Sequence, residues 1–350
     1  MKQSKNIVIV ILSVLLAISV SINGVLLVNS NCSNQSAANN SSENLSNNPG
    51  TPPGEPPDMN NSSGGGNTNS TADYSGATKY DSSVKKSGGT LNAQNLTVTT
   101  QGNSSAAIRS DRGGGTMNIE GGKYTTNGQG SPAIYSTAKV QVKKAQLTAT
   151  KSEGVVIEGK NSVSLTDTKL TDTNNTLNGN STTYKNIFIY QSMSGDASQG
   201  TGNFVAKNCD IITNKGDTFY ITNTQAVIKL TNNRLVNNDG DFMRIEAAKW
   251  GNSGSNGGNV TLQLNKQSVK GNIVVDSIST LKMSLTNKSS YTGSINKKNK
   301  GKVTLTLSKN SSIKLTGDTY VKKLTDEDKT LSNIDLNGYK MYVNGKLLKK

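Results

Sequence analysis

The sequence predicts an all-β chain wound as a parallel β-helix, a solenoid of about nine or ten turns, and three observations predict it. The first is a recurring apolar triplet, in which one residue is followed by a second two positions on and a third seven or eight positions after the first. It reads Leu91/Ala93/Val98, Met117/Ile119/Tyr124, Val140/Val142/Leu147, Val163/Leu165/Leu170, Phe204/Ala206/Ile211, Ile228/Leu230/Leu235, Leu262/Leu264/Val269, Met283/Leu285/Tyr291 and Leu305/Leu307/Ile313. The second is its beat: the leading positions lie 26, 23, 23, 41, 24, 34, 21 and 22 residues apart, a basal period near 22–24 with extra length on some turns. The third is a further short strand in each copy, ending on Ile108, Ile134, Ile157, Ile189, Ile221, Ile245, Val275 or Ile295. Three β-branched segments per period, separated by Asn, Gly, Asp and Ser, fit stacked turns. They do not fit a sandwich, which would show strands every 8–12 residues without the longer beat. No segment after residue 30 carries the 3.6-residue apolar stripe of a helix.

Four segments follow in order. Residues 1–28 carry Lys2 and Lys5 ahead of an apolar run from Ile7 to Val28, long enough to cross a bilayer core of about 30 Å, with the positive end on the cytoplasmic side. An uncleaved signal-anchor at the cell surface is expected, with cleavage and secretion as the alternative. Residues 29–87 are Asn, Ser, Gly and Pro with almost nothing apolar, the composition of a disordered spacer. The repeats fill residues 88–345, where Leu331, Ile334, Leu336, Tyr339, Met341 and Val343 are expected to cap the last turn, and 346–350 form a basic tail. Cys32 and Cys209 are the only cysteines, too few for a disulfide framework in an exported chain.

Composition narrows the chemistry. Among 350 residues there is no His, which removes His-based triads and HExxH zinc sites. Apolar residues make up 32%, below the usual globular share of about 45–50%, as expected for one narrow column of stacked side chains diluted by a polar spacer. With 38 Lys+Arg against 23 Asp+Glu the net charge is +15, and attraction to anionic wall polymers or acidic polysaccharide is its natural use for an exported chain, rather than nucleic acid.

Strand alternation assigns faces. If the aliphatic ladder of the third strand points inward, Tyr135, Glu158, Phe188, Tyr190, Tyr220, Arg244 and Glu246 point outward on neighbouring turns, a concentration of rings among only 16 aromatics. Two long connections, 191–202 and 247–258, leave the same corner, and the second holds the sole tryptophan, Trp250. Rings flanked by carboxylates and a guanidinium suit sugar rings, with the loops as a wall and Trp250 as a surface contact. The bland reading is that the aromatic ladder is covered by its own loops.

The repeat, with segments such as 130–136 (GSPAIYS) and 250–258 (WGNSGSNGG), resembles the right-handed parallel β-helix proteins of the pectin-lyase-like superfamily, among them adhesin-like and carbohydrate-binding members. That resemblance implies a right-handed winding but no single activity, since the superfamily mixes lyases, hydrolases, binding proteins and stalks. Its lyases use acidic calcium ligands with an Arg or Lys base and its hydrolases three clustered aspartates. Here Glu158, Arg244 and Glu246 are the only weak catalytic candidates, and Glu158 and Glu246 lie several turns apart, beyond the ~5–9.5 Å of glycosidase carboxyl pairs.

The expectation is therefore a monomeric, non-catalytic cell-surface protein binding extracellular polysaccharide through Tyr135, Glu158, Phe188, Tyr190, Tyr220, Arg244, Glu246 and Trp250. No cofactor is required and calcium is left open. The alternatives are a lyase or glycoside hydrolase acting on a uronate-containing polymer, and a protein-binding adhesin or passive stalk.

Overall fold

The structure is a computed structural model and describes residues 71–73, 89–110, 114–178 and 181–350. The expected membrane anchor and nearly all of the expected spacer lie outside them. The described chain is all β, with long parallel sheets running along a β-helical solenoid. Among the described residues no helix is long and apolar enough to cross a membrane.

Most turns contribute one strand to each of three faces. The first face is an eleven-stranded sheet and the third a seven-stranded one; the second runs as a six-stranded sheet followed by a four-stranded one. The leading residues of the repeat stand directly beside one another, Leu91, Met117, Val140, Val163, Phe204, Ile228, Leu262, Met283 and Leu305, in unbroken parallel register. The third members, Val98 to Leu235 and then Val269 to Ile313, align in the same way on the second face. These ladders form a single continuous core. Each fully buried aliphatic side chain contributes about 1.5–3 kcal/mol, so regular stacking rather than core thickness holds the rod together.

The polar residues inside the triplet have a backbone reason. Between the first and second strands the chain turns a corner at one or two residues with positive φ: Asn95, Gly121 with Gly122, Lys144, Asp167, Asn208, Asn232, Lys266 and Asn287 with Lys288 on successive turns. Asn, Asp and Gly tolerate that left-handed conformation best. The amides also bond along the stack, Asn232 Nδ2 donating to Asn208 Oδ1 at 2.9 Å and Asn208 Nδ2 to Asp167 Oδ1 at 3.2 Å.

The third strand departs from the expected register at two steps, at the second of which Ile273 rather than Val275 bridges Ile295. At the first, Ile134 pairs with Val155, and Ile157 stands beside Ser136, so the ladder continues through Val155, Ile187, Phe219, Met243 and Ile273. A slip of two leaves every side chain on its expected face, because alternation has a period of two. Outward residues therefore still form one row: Arg109, Tyr135, Val156, Phe188, Tyr220, Arg244 and Val274.

At the ends, a strand at Thr71–Asp73, within the segment read as spacer, pairs in parallel with 90–92. At the other end Ile334 and Met341 are buried, while Leu331, Leu336, Val343 and Leu348 pack on the core. Lys346–Leu347, in the segment read as a basic tail, pairs antiparallel with Tyr342 and Val343 and closes the last turn as a hairpin.

Candidate functional site

The outward aromatic row is assembled as alternation requires, but it is not exposed. Tyr135, Phe188 and Tyr190 are 1%, 1% and 0% exposed, and Tyr220 and Trp250 are buried with them. Together with Ala106 and Val156 they form a second hydrophobic cluster on the outside of the tube. Phe188 stacks on Tyr190 with centroids 4.5 Å apart and on Tyr220 at 5.6 Å. Trp250, expected as a surface contact, packs edge-on against Tyr190 at 5.6 Å. Arg109 lies over the Tyr135 ring at 5.1 Å. These rings have no free face for a sugar, because the long connections fold back over them.

Polar contacts at their feet fasten both loops. In the first, Ser192 donates to the Glu158 carboxylate, as does Tyr135 from the opposite side. Asn223 Nδ2 donates to the Gln191 carbonyl at 2.8 Å and the Lys160 amide to the Ser198 carbonyl at 2.8 Å. In the second, Ala248 N donates to Thr222 Oγ1 at 2.9 Å, Ala247 N to Asp276 Oδ2 at 2.8 Å, and Asn256 Nδ2 to the Trp250 carbonyl at 2.7 Å. Both loops line one hollow of about 310 Å³, walled by Gln191, Met193 and Gln199 on one side and by Asn252 and Ser255 on the other, with no charged side chain.

The catalytic candidates are separated. Glu158 is fully buried, and burial pushes its carboxyl above the ordinary range against the pull of the Ser192 and Tyr135 hydroxyls. Burial first, and the Glu158 charge next, push the Tyr135 phenol well up. Arg244 and Glu246 form more than a solvated pair. The Arg244 guanidinium is 2.6 Å from Asp217, 2.9 Å from Asp241 and 3.4 Å from Glu246, and Asp217 is almost fully buried. The cluster closes on itself. Asp239, in the Asp-Gly-Asp turn, accepts no metal partner set: among the described residues no group of three or more Cys, Asp or Glu side chains is placed to hold a metal ion. No calcium site is proposed.

The open surface is elsewhere. On the outward face of the first sheet stand Lys139, Lys143, Lys207, Lys229, Lys282, Lys302 and Lys323, all exposed, among Thr, Ser, Asn and Gln. From Thr90 to Thr325 Glu120 is the one carboxylate on that face, and it lies 3.6 Å from Lys144; Asp73 takes the outward register position beside Asn92 on the first strand. Eleven strands stacked about 4.8 Å apart make the face roughly 48 Å long. Lys143 and Lys207 share a row two strands apart, as do Lys282 and Lys323. In the sequence these lysines are spread between positions 139 and 323. The same alternation applied to the first strand of each repeat, rather than only the third, would have gathered them.

Comparison with protein-family models, with curated proteins and with solved structures gives no match in any of the three.

Proposed function

We propose that the chain is a non-catalytic cell-surface β-solenoid, tethered through residues 1–28, that binds acidic extracellular polysaccharide or an anionic wall polymer along the open face of the first sheet. One observation carries this reading: exposed lysines on a regular face of roughly 48 Å, opposed between Thr90 and Thr325 by one carboxylate, Glu120. Neighbouring lysines two strands apart sit about 10 Å from one another. That distance is close to the screening length of about 8 Å at physiological salt, so each ammonium acts mainly on the charge directly above it. A small anion gains one such weak contact, whereas a polymer lying along the face gains many at once. The surrounding hydroxyls and amides suit the uncharged parts of sugar rings.

The right-handed winding of the pectin-lyase-like proteins belongs to this reading, supported by the near-uniform handedness of parallel crossover connections. The aromatic row is given no ligand in it.

Co-sedimentation with polygalacturonate and with an uncharged dextran, at low and high salt, tests the proposal. It predicts retention on the acidic polymer at low salt, release as salt rises, and no retention on dextran. Equal retention on both polymers, indifferent to salt, would replace the lysine face with the uncharged hollow between the loops.

A further inference from the structure

Beneath the connection that leads into the strand Lys185–Tyr190 lies a buried charged cluster that polymer binding does not use. The Lys185 and Glu153 side chains are 1% and 2% exposed, with Nζ 3.1 Å from Oε1. The other oxygen, Oε2, accepts a hydrogen bond from Asn178 Nδ2 at 3.2 Å and another from Ser152 Oγ at 2.8 Å. Asn178 Oδ1 in turn accepts from the Gly130 amide at 2.9 Å. Nζ donates to Ser181 Oγ at 2.7 Å and to the Thr183 carbonyl at 3.3 Å, and it lies over the Phe188 ring at 4.6 Å and the Tyr220 ring at 5.7 Å. Asp172 is buried nearby with one oxygen unpartnered, and burial pushes its carboxyl well above the ordinary range, towards the neutral acid.

Burying an ion pair costs several kcal/mol per charge before the mutual attraction is counted, and an apolar pair would fill the same space at less cost. The groups kept here are an amine, a carboxylate bridging it to a primary amide, and a backbone N–H on the amide oxygen. They are the parts of an acyl transfer: a nucleophile, a proton carrier, an acyl donor and a donor for the oxygen that gains charge. Aromatic walls keep water from competing as the nucleophile.

We propose that Lys185 and Asn178 join in an intramolecular isopeptide bond, with Glu153 carrying the proton. Glu153 Oε1 takes one proton from the ammonium across the 3.1 Å contact, leaving a neutral amine. The Nζ lone pair attacks Asn178 Cγ, and the charge that develops on Oδ1 is taken up by the Gly130 N–H. A second Nζ proton passes to Nδ2, the Cγ–Nδ2 bond breaks and neutral ammonia leaves. One proton remains on Nζ in the new amide and one on Glu153. The step is redox-neutral, and it replaces a buried ion pair by two uncharged groups, which removes the desolvation cost that sets it up. The product pins the connection ahead of the strand that carries Phe188 and Tyr190. Such a covalent brace suits an exported chain whose one cysteine among the described residues, Cys209, is buried and unpaired.

Peptide mass spectrometry of the full chain, folded and then digested with trypsin, decides it. Trypsin has no site between Lys169 and Lys185 or between Lys185 and Lys207. The link predicts a single peptide, 170–207, uncleaved after Lys185 and lighter than the linear peptide by one ammonia. Fragment ions should place the branch at Asn178. Lys185→Met, Asn178→Ala and Glu153→Gln should each abolish it, with circular dichroism checking that the variants fold. Separate peptides 170–185 and 186–207 from folded wild-type protein overturn the proposal without recourse to any variant. Ammonia loss with normal cleavage after Lys185, a cyclised Asn178, overturns it too. Loss of water in place of ammonia would move the link to a carboxyl such as Asp172 and overturn the assignment to Asn178.

Discussion

The outer faces of the first and third sheets obey the same alternation of inward and outward side chains, yet one is open and the other is sealed. On the first face the chain turns a corner at one or two positive-φ residues and enters the next strand, leaving no length to fold back. On the third face the strands Lys185–Tyr190 and Met243–Ile245 are followed by connections of about ten residues, which close over Phe188, Tyr190 and Tyr220. Side-chain chemistry matches the difference: rings under the loops, lysines and threonines on the bare sheet. Pointing out of a solenoid and meeting solvent are thus separate properties. Alternation decides the first and connection length the second.

The largest expected effect breaks the covered face. Phe188→Ala removes a ring stacked between Tyr190 and Tyr220 and should cost about 3–5 kcal/mol in urea unfolding. A cost below about 1 kcal/mol would mean that the loops sit loosely on the row. Arg244→Met comes next, since it leaves Asp217 buried without its closest cation. The guanidinium is itself partly open, so the loss should be about 2 kcal/mol, short of the value for a fully buried pair. No measurable change would show that solvent already supports Asp217.

A pH dependence follows from the covered side alone. Burial holds the carboxyls of Glu158, Asp172 and Asp217 above their ordinary values. A carboxyl raised in the folded state binds its proton more tightly there than in the unfolded chain. Its contribution is therefore complete below the ordinary value and is lost as pH rises through the folded one. The melting temperature should fall as pH rises above the ordinary carboxylate range of 3.8–4.5, and Glu158→Gln should flatten that slope. A melting temperature that climbs over this range would reverse the sign and the assignment. The smallest effects belong to the open side. Asn232→Ala, at a left-handed corner, should cost about 1 kcal/mol, and Lys229→Gln less than about 0.5 kcal/mol. A larger loss for Lys229→Gln would show that the lysine face is structural.

Much of the fold was legible because a solenoid writes its register into its period. The leading residues from Leu91 to Leu305 align as read, and the asparagines between triplet members mark the corners. The two-residue slips, at Ile134 and Val155 and again at Ile273 and Ile295, were not legible, since either register buries the same face. The contents of the aromatic row were legible, down to Trp250 sharing a neighbourhood with Tyr190. Its burial was not, because nothing in the spacing of Ser192, Asn223 or Asn256 announces that they bond the loops down. The lysine face went unread for a different reason. Lys143 and Lys207 are 64 positions apart in the sequence, and become neighbours only when the turns are superposed in their true register.

The central claim is that the open face binds and the covered face does not. Its most direct test is the binding isotherm of polygalacturonate to the wild-type chain and to a variant carrying Lys139→Gln, Lys207→Gln, Lys229→Gln and Lys282→Gln together, with melting curves alongside. The account predicts affinity lowered by at least about tenfold, from four lost contacts of a few tenths of a kcal/mol each or more, with an unchanged melting temperature. Undiminished binding by the folded quadruple variant would contradict it.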